Sequence, residues 1–209
     1  MLNGKITLEG GEVVEFKLPE QWNECTTKQI IELRATPNIK QYEVMEVFSG
    51  IPVDVWIEYT EERLMHFVRS MIGLHYPAPD WFSLPYSLSL EILDKKITLP
   101  NGVNEAPAGA VEALRSEIDI MSQQDEPNYE KLIPSCIALM AVKPFFGKYG
   151  KNGDDNARQL VPAIEAMPAE ITYPLANFFF GASKKKQNIG RILSAAKQRK
   201  RNTKQGSVS

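Results

Sequence analysis

The last 26 residues hold nine basic side chains and no acid, so a compact core has to be assembled from what precedes them. The nine are Lys184, Lys185, Lys186, Arg191, Lys197, Arg199, Lys200, Arg201 and Lys204. Like charges at this density repel one another and have no local counter-charge to neutralise them. The other 15 Lys and Arg share residues 1–183 with all 26 Asp and Glu. The chain therefore divides into an acidic body, 1–183, near −11 and a basic tail, 184–209, at +9, beneath a net charge of −2. Charge asymmetry of this kind acts on partners more than on fold, and it predicts a protein that binds.

The body reads as α+β and mainly helical, with two small β-hairpins resting on helices. Ile6 and Leu8 alternate with polar residues, Gly10-Gly11 supplies a two-residue turn, and Val14, Phe16 and Leu18 alternate on the return. Thr26 to Gln29 fits a capping box, with Cys25 and Ile30 placed for a hydrophobic staple. That helix runs to about Ala35, before Pro37. A second covers roughly Ile39 to Phe48 and stops at Gly50. Thr60 caps a third, in which Glu61 and Glu62 suit the positive dipole end and Leu64, Phe67, Val68, Met71 and Ile72 form one stripe. Residues 76–85 predict a packed loop, and Leu88 to Leu99 a second hairpin turning at Asp94-Lys95. Helices follow at about Ala108–Met121, Tyr129–Val142 (with a kink or late start at Pro134), Ala157–Ala166 and Glu170–Ala182. Gly147 to Asn156 reads as a polar loop.

Catalytic, cofactor and metal patterns do not emerge. His66 and His75 lie nine apart, not at the i, i+4 spacing of a helical metal pair. Cys25 and Cys136 have no zinc-like partners and read as two buried thiols, with a disulfide between them as the alternative. Gly147 to Gly153 misses the phosphate-loop pattern, because Phe145 stands where its first glycine belongs and Asn152 follows Lys151. Asp154-Asp155-Asn156 lacks the closing acid of a calcium loop and reads as a helix start. Glu61/Glu62 and Asp125/Glu126 are neighbours that diverge on a helix, so neither forms a convergent acid–base pair. No cofactor and no metal is expected, and no reaction is assigned. The apolar run Cys136 to Val142 is too short to cross a membrane, and Met1 to Leu18 lacks the pattern of a secretion signal.

Binding residues are the remaining signal. In the tail, Ile189, Ile192, Leu193 and Ala196 recur at helical spacing among the cations, with no aromatic to stack on bases. The nine cations are thus candidates for a polyanion: duplex phosphates, met weakly by sequence and strongly by charge, or an acidic groove of a neighbouring subunit. The bland alternative is a solvated tail. In the body, Trp56, Trp81, Phe82, Asn177 and Phe178 offer aromatic surface of the kind enriched in interface anchors, set against the alternative that these aromatics are core.

Leu18-Pro19, Trp22 and Cys25-Thr26-x-Lys28-Gln29 resemble the opening of small proteins encoded in the structural gene blocks of tailed bacteriophages of Bacteroides-like hosts. Ile97–Pro100, then Met167-Pro168 leading to Asn177-Phe178-Phe179-Phe180, is similar to the rest of that pattern. The resemblance covers most of residues 5–182 and carries over no catalytic residue. It implies a virion component or a tail or head assembly factor. The expected partners are then other virion proteins, with no membrane, an oligomeric habit, and residence in the virion or host cytoplasm. The tail after Gly181 falls outside the pattern, and packaged DNA is expected for it from its charge alone. A nucleic-acid-binding accessory protein is the alternative.

Overall fold

A computed structural model describes residues 1–182 apart from Glu9, Pro37 and Tyr76. Among these residues the chain is α+β and mainly helical, with eight α-helices and two antiparallel hairpins. It divides into two compact units. The first is Met1–Trp81 with Glu165–Glu170, and the second is Phe82–Ile164 with the described residues from Ile171 onward. The sequence reading treats all of this as a single body.

In the first unit, β1 (Leu2–Thr7) pairs with β2 (Val13–Leu18), Gly4 opposite Phe16 and Ile6 opposite Val14. Period-2 alternation buries Gly4, Ile6, Phe16 and Leu18 on one face and leaves Lys5, Glu15 and Lys17 exposed. The turn is wider than the two residues expected. Leu8 N–H donates to Glu12 and Gly11 N–H to Leu8, while Gly10 and Gly11 take the positive φ angles of 106° and 86°.

Helix α1 (Thr27–Ala35) starts at the expected capping box: Thr26 Oγ1 accepts from Gln29 N–H, and Thr26 N–H donates to Gln29 Oε1 at 2.9 Å. Cys25 and Ile30, the staple pair, are both buried. Helix α2 (Gln41–Ser49) ends on left-handed Gly50, as its sequence predicts. The five-residue α3 (Val53–Ile57) was not anticipated, and α4 (Glu61–Ser70) follows it. Thr60 sits at the N-cap position of α4, but its side chain makes no capping hydrogen bond. The unit's centre is aromatic: Phe16, Trp56 and Phe67 meet edge to face, with centroids 5.4–5.7 Å apart.

The returning segment 165–170 is tied to the start of α1. Thr27 N–H and Oγ1 both donate to Met167 O, at 2.8 and 2.9 Å, and Ala169 N–H donates to Cys25 O. Cys25-Thr26 and Met167-Pro168, far apart in sequence, are thus backbone partners.

The second unit is built on α6 (Ile133–Phe146), apolar on every side from Ile133 to Val142 except at half-buried Ser135, as a central helix must be. Pro134 lies in its first turn, so the late start is the outcome and a 3₁₀ turn (Tyr129–Leu132) precedes it. Helix α5 (Ala108–Ser122) and strand β4 (Lys95–Thr98) pack on α6. Strand β4 pairs with β3 (Ser89–Ile92), and the turn falls at Leu93-Asp94, one residue earlier than expected, with φ of 48° and 60°. Helix α7 begins at Gly153 and runs to Glu165, which shortens the expected loop and places Asp154 and Asp155 in its first turn. Helix α8 (Ala169–Ala182) closes the described chain.

Candidate functional site

Helix α8 grips the start of the second unit with two side chains one turn apart. The ring of Tyr173 lies 5.1 Å from that of Phe82, and Asn177 Nδ2 donates to Phe82 O at 3.0 Å. Tyr173 is fixed in turn, because its hydroxyl donates to Glu130 Oε2 at 2.7 Å. Phe178, the next residue on α8, stacks at 4.6 Å on Tyr86, whose side chain is 48% exposed. Two neighbouring contacts of α8, Asn177 to Phe82 and Phe178 to Tyr86, thereby mark a ledge that is largely aromatic and partly open to solvent. A rigid aromatic surface of this kind loses little side-chain entropy on contact and suits an interface anchor. Three of the five expected body residues meet here. Tyr86 carries no sequence signal that separates it from the packed aromatics of residues 76–85.

The other two expected residues do not belong to a surface. Trp56 is 0% and Trp81 1% exposed. Trp56 is the hub of the Phe16–Phe67 cluster, and its Nε1 donates to Ser49 Oγ at 3.2 Å. Trp81 packs edge-on against Trp22, with the Arg34 guanidinium 4.9 Å above its ring. A side chain already enclosed on all sides has no area left for a partner, so both are core residues. The half-buried tryptophan is Trp22. The nine tail cations, Lys184 to Lys204, lie outside the described residues.

A group of interacting ionisable side chains in the second unit, Glu117, Cys136, Tyr149, Asp154 and Arg158, is carried by α5, α6, α7 and the residues just before α7. Glu117 Oε2 is enclosed and has no hydrogen-bond partner. Burial pushes its carboxyl above the ordinary range; the Ser135 hydroxyl pulls it back, Asp154 adds to the rise and Arg158 opposes it. Burial likewise raises Cys136, with Glu117 adding to it, and pushes Cys25 up to about 12. Both thiols are free and buried, as expected, and stay protonated at neutral pH. Tyr149 donates to Asp154 and lies against Gly109 and Gly153, and its phenol is raised, first by burial and then by that carboxylate. His66 is exposed on α4. Among the described residues no three acids, histidines and cysteines gather as a metal would require, and no helix is long and apolar enough to cross a membrane.

The cluster makes a pH prediction. With Glu117 raised in the folded state, no penalty exists below the ordinary carboxyl pKa, where both states are protonated. A penalty develops as pH rises from there through the folded value, and persists above it. Glu117→Gln is therefore expected to raise the melting temperature at pH 7, with the advantage shrinking as pH falls through the raised folded value toward 4.5 and absent below it. Melting curves at both pH values check this; a variant no more stable at pH 7 contradicts it.

Compared with protein-family models, curated proteins and solved structures, the chain matches none.

Proposed function

We propose that this chain is a non-enzymatic structural or assembly protein of a tailed phage particle. It docks on other virion proteins through its body and on packaged DNA or an acidic partner through its basic tail. The observation that carries the docking reading is the ledge of Phe82, Tyr86, Asn177 and Phe178, which stands partly open to solvent, whereas Phe48, Trp56, Trp81 and Phe179 are buried. The charge division supports it, since an acidic body disfavours phosphates and leaves anion contact to the tail. The phage setting rests on the sequence resemblance.

The test uses the immobilised full chain and the dissociated proteins of purified particles of the phage that encodes it. Saturable retention of one virion protein, identified by mass spectrometry, is expected, together with its loss in Tyr86→Ser. Tyr86 is half exposed, so this variant should stay folded and lower the melting temperature only by the loss of its ring contact with Phe178. Retention of no virion protein, or equal retention by Tyr86→Ser, refutes the ledge as the docking surface.

A further inference from the structure

We infer that an apolar groove in the first unit is the receptor for the basic C-terminal segment of this chain, residues 184–204. The groove has a volume of about 220 Å³ and lies among α1, α2 and α4. Phe48 and Met71 are buried in it, whereas Trp22, Leu33, Val44 and Val68 are only half-buried. Apolar wall thus remains open on a surface that is otherwise strongly charged. Trp22 also borders a wider cleft of about 630 Å³, whose walls include Glu20, Gln21, Asn23 and Ser70. Polar acceptors therefore adjoin the apolar wall.

Charge selects the occupant. Met1–Trp81 with Glu165–Glu170 holds fifteen acids and seven bases, a net −8, while the remainder of the body holds eleven acids and eight bases, a net −3. Most of the negative excess is therefore in the unit that carries the groove. The C-terminal segment brings the complementary pair of features. Ile189, Ile192, Leu193 and Ala196 stand at i, i+3, i+4 and i+7, the pattern by which a helix enters an apolar groove, and nine cations surround them. Burial of the stripe supplies affinity, and the opposite fields supply orientation and a fast encounter. This inference rests on the docking reading of the tail, but neither on the phage setting nor on the Tyr86 ledge.

The full chain carries its own reporter. Trp56 and Trp81 are buried, so acrylamide quenching of tryptophan emission reads Trp22 in the groove wall. At low ionic strength Trp22 is expected to be protected. The double variant Ile192→Glu, Leu193→Glu should lose that protection. So should the wild type in 1 M salt, where the screening length falls to about 3 Å. Trp22→Phe should abolish the difference between the variants. Val44→Glu alters the groove itself, and the tail variant keeps the test decisive if that substitution unfolds the unit. Quenching unchanged in the tail variant overturns the inference. The same null result with salt-sensitive binding to duplex DNA assigns the tail to a polyanion alone, and leaves the ledge untouched.

Discussion

Trp56→Ala is expected to destabilise the first unit by about 3–5 kcal/mol, the range for truncating a large buried aromatic. The indole is wholly enclosed, and it holds Phe16 and Phe67 in edge-to-face contact and Tyr59 at 5.5 Å. Alanine leaves a cavity that three rings cannot fill without leaving their rotamers. It also removes the Nε1 donor from Ser49 Oγ, a hydroxyl that donates to Met45 O and accepts from Ile51 N–H. Trp56→Phe keeps a ring in place and should cost distinctly less. Urea unfolding followed by far-ultraviolet dichroism measures both variants. A loss below about 1 kcal/mol for alanine would mean that the cluster is not the unit's core, since ordinary surface changes fall within half of that.

The second large effect comes from the opposite change, one added methyl group. A Cβ built on Gly4 would overlap the Phe16 ring, which the hairpin register places directly across from it. Phe16 cannot swing aside, because Trp56 and Phe67 each lie 5.4 Å from its centroid. Gly4→Ala should therefore cost about 1–3 kcal/mol, the usual penalty for overpacking. The cause is separable from the glycine's backbone freedom, since Gly4 is not among the residues with positive φ. In a Phe16→Leu background the same substitution should be nearly neutral, which gives a coupling energy in a double-mutant cycle. An equal cost in both backgrounds would place the strain elsewhere.

Local chemistry made much of this chain readable before any coordinates. The capping box at Thr26, the left-handed stop at Gly50, both hairpins and the late start at Pro134 depend on residues within a few positions of one another. The even apolar coverage of Ile133 to Val142 likewise belongs to a helix that packs on all sides. Helix α3 escaped notice because five residues are too few to display a period. The division into two units escaped for another reason: residues 165–170 join the first unit through hydrogen bonds across 140 positions, a pairing no local pattern encodes.

The aromatic residues show where sequence reading stops. Trp56, Trp81, Phe82 and Phe178 are equivalent by composition, yet the first two are enclosed and the last two stay partly open on the Tyr86 ledge. Hydrophobic transfer favours burying any of them, and which ones reach solvent is decided by the geometry left after the helices pack. Gly4 makes the same point from within the core: its smallness matters only because tertiary contacts hold Phe16 over it. Charge is the exception. The −11 body and +9 tail are properties of the sequence under any fold, because a Coulomb field is the sum of its charges, whereas an aromatic surface exists only once packing has left it uncovered.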